Sequence, residues 1–160
     1  MFYRRMRMDG GKNDYQKSER KRYSENFRVI RASVTNSCRY KAWYFYSGTT
    51  KYTIDELREL LKHKEKPIYV AVDEDDVCAG YAFCQLQEQP FSNNMVPFKT
   101  FFIDDICVSQ EVRGQHVGES LFEYVKKEAK QLGCYEVTLN VWGNNGNDFS
   151  REILWKNGNA

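Results

Sequence analysis

The sequence has no long apolar run. Of its 160 residues 41% are hydrophobic, yet no stretch approaches the roughly 18 apolar residues that a helix needs to cross a bilayer. Three arginines, Arg4, Arg5 and Arg7, stand near the start, but no apolar segment follows them as it would in a secretory signal. Membrane-spanning and secreted proteins are therefore not expected, and we predict a cytoplasmic protein.

Cysteines are few and follow no metal or disulfide pattern. Their number is odd and no C-x-x-C pair occurs, so neither a disulfide framework nor a zinc site is indicated. We interpret all five as reduced residues of the core of a cytosolic protein. They are Cys38, Cys78, Cys84, Cys107 and Cys134.

The motifs of several enzyme classes are also missing. Neither G-x-x-x-x-G-K-[ST] nor G-x-G-x-x-G occurs, which argues against the common nucleotide and dinucleotide loops. The two histidines, His63 and His116, have no Ser or Cys that the sequence places beside them. A catalytic triad is therefore not supported.

Positive charge is concentrated at the start of the chain. The net charge is +2, but residues 1–31 hold ten Lys and Arg against four Asp and Glu. Such an arm could contact nucleic acid or a membrane surface, or it could be a disordered, solvated tail. We favour the tail, and expect neither a nucleic acid nor a membrane as a partner.

The first orderly segment predicts a helix followed by a β-hairpin. Thr53 and Glu56 form the S/T-x-x-E capping box before apolar residues at helical spacing. Pro67 ends that segment, and "IYVAVDEDD" and "VCAGYAFCQLQ" then predict two antiparallel strands joined by an acidic turn. "KTFFIDDICVS" predicts a third strand that contains two carboxylates.

The second half predicts a strand, a helix and a strand in succession. Apolar residues from Val117 to Leu132 recur at helical spacing, Gly133 is placed to end the helix, and "YEVTLNVW" alternates as a strand. A chain of 160 residues is of single-domain length. The fold class is therefore α/β (α+β): a mixed, mostly antiparallel sheet flanked by helices, with one parallel strand-helix-strand unit.

The junction before this second helix suits a phosphate. The start of a helix presents unpaired N–H groups and about half a positive charge, and Gly114 and Gly118 let the backbone approach a ligand. Arg113 stands just before. The alternative is an ordinary strand-to-helix turn.

This order resembles the pyrophosphate loop of the GNAT superfamily of acyl-CoA-dependent N-acetyltransferases, whose pattern is Arg/Gln-x-x-Gly-x-Gly/Ala. Here His116 replaces the first motif glycine, while Gly118 matches. The resemblance runs from about Gly48 to Asn145 and includes "AGYAFC", "IDDICV" and "GCYEVTLNVW". It implies an acyl-CoA-binding core at residues 47–147, with a poorly matching segment at 1–46 and an atypical tail at 148–160.

The resemblance implies acetyl-CoA as co-substrate, held in a gap between the strands on either side of the helix. By position, the strand before the loop would bond the pantetheine through Ile106, Cys107 and Val108. The amides of the loop would hold the pyrophosphate, and Asn145 matches a family Asn that contacts the cofactor. The loop residues assigned to the cofactor are Arg113, Gly114, Gln115, His116, Val117, Gly118 and Glu119.

Acetyl transfer to an amine requires a base and a proton for the departing thiolate. Asp104 and Asp105 lie on the strand that lines the gap, and alternation along a strand would send one into the cleft and the other away. One of them is the candidate base, directly or through water. The alternative is that both are solvated or paired with Lys or Arg. Cys107 could carry the acyl group, but a buried structural thiol is favoured inside a strand.

Both ends depart from the family pattern. The leading strand and helix are not recognisable, and no tyrosine follows Tyr135 to serve as the usual thiolate acid. One hypothesis is a shifted reading frame: with permitted synonymous codons, residues 22–31 and 146–155 read one base later can encode a helix opening and a run similar to the family's terminal motif. The basic arm would then be an artefact, which the coding DNA can decide.

The sequence thus predicts an N-acetyltransferase in which a primary amine attacks acetyl-CoA directly. The alternative is a non-catalytic acyl-CoA-binding module, or an inactive, frame-damaged copy of the enzyme. The acceptor is a small-molecule or peptide amine of unspecified kind. Many family members pair through their sheets, so a homodimer is an option.

Overall fold

The computed structural model describes residues 3–7, 51–73, 75, 77–90, 92–142 and 149–158. These residues form strands β1 (Tyr3–Arg7), β2 (Ile68–Val72), β3 (Cys78–Glu88), β4 (Lys99–Val108), β5 (Glu136–Trp142) and β6 (Phe149–Lys156). The helices are α1 (Ile54–Leu60) and α2 (Val117–Gln131), with a short 3-10 helix at Gln110–Val112. Within the described residues no helix is both long and apolar enough to span a membrane.

The strands form one mixed sheet whose spatial order, β1 to β6, is their order along the chain. β2, β3 and β4 are antiparallel neighbours, β4 and β5 are parallel on either side of α2, and β6 runs antiparallel to β5. The predicted fold class is confirmed, including the parallel strand-helix-strand unit.

The ends hold strands that the sequence did not predict. β1 pairs in parallel with β2, so the interpretation of the basic arm as disordered is wrong for Tyr3–Arg7. Most of the arm lies outside the described residues. Within the tail at 148–160, Phe149–Lys156 forms an edge strand along β5.

Local sequence signals explain where the helices begin and end. The Thr53 side chain accepts a hydrogen bond from the Glu56 N–H while the Glu56 carboxylate accepts one from the Thr53 N–H, which completes the predicted capping box. Gly133 follows α2 with φ of 72°, a left-handed conformation that glycine adopts without steric cost.

The sheet carries a core on each face. On one face α2 packs through residues such as Leu121 and Val125 against apolar side chains that include Phe101 and Ile103. On the other face Leu57 of α1 and Leu61, which caps the end of that helix, belong to a second cluster; the strand residues in it are Ile68, Val70, Val72, Tyr81 and Phe83. The described residues thus form three layers, with the sheet between α1 and α2.

β4 and β5 separate partway along their length. Their ladder runs from Thr100 opposite Glu136 to Ile103 opposite Leu139. Beyond that point β4 continues beside β3, and β5 continues beside β6. A gap therefore opens between the second halves of β4 and β5, as the family resemblance implies.

Candidate functional site

The loop before α2 exposes the start of that helix. Gly114 has φ of 82° and His116 has φ of 59°, and these two left-handed residues turn the chain from the 3-10 helix into α2. His116 is the N-cap, and its side chain makes no capping hydrogen bond. The first N–H groups of α2 thus lack the usual N-cap acceptor among the described residues, which is what an anionic ligand at this position requires.

The loop lies directly against the end of β4. A Cβ atom added to Gly118 would lie 3.3 Å from Cγ2 of Val108, so the helix backbone lies close to the strand and a larger residue would push the Val108 side chain aside. A Cβ added to Gly114 would meet nothing within 4 Å. At this position glycine is favoured by the left-handed φ and not by a lack of space. These features fit an acyl-CoA pyrophosphate above Gly114–Glu119.

The side chains of the loop point to solvent and pair among themselves. Nδ1 of His116 lies 2.9 Å from Oε2 of Glu119, and both side chains are largely exposed. Arg113 and Gln115 are exposed as well. The Glu119 carboxylate would repel a phosphate, so the groups of the loop that suit one are its backbone N–H groups and the exposed Arg113 guanidinium.

The backbone of β4 has groups available on the side of the gap. The Ser109 N–H donates to the carbonyl of Ala79 on β3 at 2.9 Å, and the Cys107 carbonyl lies 2.9 Å from a Cβ placed on Gly80. Since successive residues of a strand direct their polar groups to opposite sides, Ile106 and Val108 direct theirs towards the gap. Cys107 directs its own towards β3.

A one-residue bulge in β4 brings the two carboxylates together. Phe83 on β3 pairs with Asp105, but the next residue, Cys84, pairs with Ile103, so Asp104 is the extra residue. The expectation that alternation separates the two aspartates is therefore wrong. Both lie on the α1 face of the sheet, and both approach the same ammonium group, that of Lys51.

This cluster includes three side chains that sequence reasoning missed. Nζ of Lys51 is 2.8 Å from Oδ2 of Asp104 and 3.7 Å from Oδ2 of Asp105. The Tyr52 hydroxyl donates to Asp104 at 3.0 Å, and the Tyr81 hydroxyl donates to Asp105 at 3.2 Å. Only Tyr81 had a signal in the sequence: it is a tyrosine in an otherwise apolar strand, and a buried hydroxyl needs a hydrogen-bond partner.

The two carboxylates differ in their environment. Burial raises the pKa of Asp105, and this outweighs the lowering by the Lys51 ammonium and by the Tyr81 hydrogen bond. Asp104 has the closer contact to the cation and is the more exposed of the two. Asp105 is thus the carboxylate better suited to accept a proton at neutral pH.

The Tyr52 side chain is held by contacts with Asp104 and Phe83, and its hydroxyl is a poor acid. Burial and the Asp104 charge raise its pKa far above the usual value. Its ring packs on Phe83, with centroids 5.2 Å apart. Tyr52 therefore orients Asp104 and holds its own proton firmly.

The remaining predicted site residues are not part of this cluster. Cys107 is half-buried, and its Sγ lies 3.9 Å from the Val108 carbonyl. Nδ1 of His63 lies 2.8 Å from a carboxylate oxygen of Glu65, so neither histidine contacts a nucleophile through that nitrogen. Asn145 lies outside the described residues.

Comparisons with known proteins agree with this architecture. The model of the acetyltransferase (GNAT) family matches residues 32–150, which is more than half of the chain. No curated protein sequence matches the chain.

Several solved structures share the fold. A tetramutant of the BH1408 protein from Bacillus halodurans is 21% identical, with a TM-score of 0.65 over 82% of this chain and 85% of that chain. An aminoglycoside acetyltransferase from an uncultured soil metagenomic sample, in complex with sisomicin, is 19% identical, with a TM-score of 0.55 over 74% of this chain and 70% of that chain. Glucosamine-6-phosphate N-acetyltransferase from Arabidopsis thaliana is 24% identical, with a TM-score of 0.50 over 61% of this chain and 69% of that chain. At these identities the likeness concerns the fold alone, and it is the family match that identifies the chain as a member of the GNAT family of acetyltransferases.

Proposed function

We propose that the protein transfers an acetyl group from acetyl-CoA to a primary amine, by direct attack of the amine on the thioester. The observation that carries this proposal is the position of the paired carboxylates. Asp104 and Asp105 lie at the bulge of β4, directly after the point where β4 and β5 separate. A base is thereby available at the inner end of the gap in which an acyl-CoA arm would lie.

The chain offers binding groups at both ends of that gap. The uncapped start of α2 would hold the pyrophosphate, and the polar backbone groups of Ile106 and Val108 would bond the arm along β4. From Val108 to Asp104 a strand covers roughly 13 Å at about 3.3 Å per residue. The bound cofactor supplies an activated acetyl group, and the protein's task is to place that group beside the carboxylates.

The proposed roles of the two aspartates differ. Asp105 accepts a proton from the incoming ammonium, because its burial raises its pKa. Asp104 fixes the positions of the Lys51 ammonium and the Tyr52 hydroxyl, both of which donate hydrogen bonds to its carboxylate. Since Tyr52 holds its proton firmly, the proton for the thiolate is best supplied by the nitrogen of the acceptor itself.

A non-catalytic acyl-CoA-binding module remains the second candidate. It is favoured by β6, which occupies Phe149–Lys156 in a chain that has no tyrosine after Tyr135. Both candidates bind acetyl-CoA at the same loop, and they differ in whether thiol is released.

Calorimetry with acetyl-CoA, followed by thiol-release assays on a panel of primary amines, tests the proposal. Gly118→Val is expected to abolish binding, because a Cβ at this position would lie 3.3 Å from Cγ2 of Val108 and the two further methyl groups would crowd the start of the helix. Gly158→Val is the matched control, since a Cβ there meets nothing within 4 Å. Binding without thiol release on any amine supports the module, and absence of binding by the wild type refutes both functions.

A further inference from the structure

Lys51 lies where an acceptor amine would have to lie. Its Nζ is within 4 Å of carboxylate oxygens from both Asp104 and Asp105, and it is 3.5 Å from the Asp104 carbonyl oxygen. All three contacts are with residues at the bulge of β4, which lie more than fifty residues after Lys51 in the chain. A primary ammonium group is thus already bound at the carboxylates to which the proposed reaction assigns proton transfer.

Other described lysines have ordinary surface pairings. Lys62, which follows the end of α1, contacts Glu59, and Lys126 contacts Glu123 on α2; each partner lies three residues away. Pairs of this kind stabilise a helix by a few tenths of a kcal/mol. The side-chain exposure of Lys51, 29%, lies between that of Lys62, 67%, and that of Lys126, 23%, so exposure does not set it apart. Lys51 differs from these two lysines in having two carboxylate partners and in the number of residues that separate it from them. All three side chains are primary amines.

We propose, on the basis of the function proposed above, that Lys51 is an internal acceptor, acetylated on Nζ by its own site from acetyl-CoA. The position of Nζ between two carboxylates at the inner end of the β4–β5 gap carries this inference. It assigns a covalent modification site to the chain. It also defines the chemical class that the site accepts: the terminal ammonium of an unbranched alkyl chain.

The step balances with acetyl-CoA as the sole co-reactant. Asp105 first takes one proton from the Lys51 ammonium, which leaves a neutral amine with a free electron pair. Nζ then forms a bond to the acetyl carbon, the carbon–sulfur bond breaks, and its electron pair leaves with sulfur. The second nitrogen proton goes to that sulfur, and Asp105 releases its proton to water. The products are the Lys51 amide, the free thiol of CoA and one proton.

Acetylation would change the charge of the site. With the ammonium the cluster of Lys51, Asp104 and Asp105 carries one cation against two carboxylates. An amide has no charge and cannot form these ion pairs, so Asp104 and Asp105 would lose their internal cation. The carboxylates would then have no internal ammonium partner in the Lys51 side chain.

Peptide mass spectrometry after incubation with isotopically labelled acetyl-CoA, without added amine, tests this inference. Label at Lys51 is expected to accumulate at least about tenfold faster than at Lys62, the matched ion-paired lysine that is remote from β4. Asp105→Asn should slow labelling of Lys51 by about 100-fold, the lower range for loss of a general base, and should leave the slow chemical labelling of Lys62 unchanged. Lys51→Arg should remove the labelled peptide.

Binding of acetyl-CoA is measured in parallel on the same samples. Equal labelling of Lys51 and Lys62, or labelling of Lys51 that Asp105→Asn does not slow, overturns the inference. If acetyl-CoA binds and external amines release thiol while Lys51 stays unlabelled, the inference fails and the proposed function stands. If acetyl-CoA does not bind, both are refuted.

Discussion

The sharpest prediction concerns Asp105 and its neighbour in the bulge. Asp105→Asn keeps a hydrogen-bond acceptor for the Tyr81 hydroxyl but removes the base. We expect kcat with a primary amine to fall by about 100-fold or more, equivalent to about 2.7 kcal/mol of barrier. Asp104→Asn is the matched control, because it changes the adjacent carboxylate without removing the proposed base.

The pH dependence separates the two variants. The groups that face Asp105 are the Lys51 ammonium, the Tyr81 hydroxyl and Asp104. Burial raises the pKa of Asp105, so activity should be lost on acidification at a pH above the range of an ordinary Asp. Asp104→Asn removes a like charge and frees Lys51 for Asp105, and both changes lower the pKa of Asp105. The acid limb should therefore move to lower pH in Asp104→Asn and disappear in Asp105→Asn.

Stability provides a second measurement of the same group. A carboxyl whose pKa is raised on folding stabilises the native state at low pH, and this contribution is lost as pH rises through the native pKa. Asp105→Asn should therefore be at least as stable as the wild type at pH 7 in urea denaturation. A variant that is both active and unchanged in its pH profile would refute the assignment of the base. A variant that is inactive because it is unfolded would show that Asp105 has a structural role.

Three further predictions test the loop, the core and the thiols. Gly114→Ala should lower the free energy of unfolding by about 1 kcal/mol, because a left-handed φ of 82° costs an alanine that much, and unchanged stability in urea denaturation would contradict this. Leu57→Ala should lower the free energy of unfolding by about 2 to 5 kcal/mol, while Val96→Ala at an exposed site should change it by less than about 0.5 kcal/mol. Burial raises the pKa of Cys134 from 9.0 to about 11, so its alkylation at pH 8 should be about 100-fold slower than that of an ordinary thiol, and equal rates in the native protein would refute it.

Much of the fold could be predicted because it depends on local signals. The capping box at Thr53, the apolar periodicity of α2 and Gly133 after it each identify an element from neighbouring residues alone. The separation of β4 and β5 came from the family resemblance. It depends on long-range pairing that periodicity does not encode.

The cluster of carboxylates could not be predicted because it depends on strand register. Alternation is a sound rule for a regular strand, and it fails at Asp104 because the bulge adds one residue opposite β3. Lys51 lies more than fifty residues from its partners, and no local pattern links the two segments. β6 was missed for a related reason, since an edge strand with exposed Ile153 and Leu154 lacks the alternation that marks a half-buried one.

The bulge also bears on how this strand tolerates changes in its length. Removing one residue from the middle of a strand normally turns every later side chain to the wrong face. Here the loss of Asp104 would place Ile103 and Asp105 opposite consecutive residues of β3, Cys84 and Phe83, and the ladder would become regular. Residues beyond it would keep their faces. A one-residue deletion at Asp104 would therefore remove one of the two carboxylates that contact Lys51 and would leave Asp105 paired with Phe83 and on the same face of the sheet.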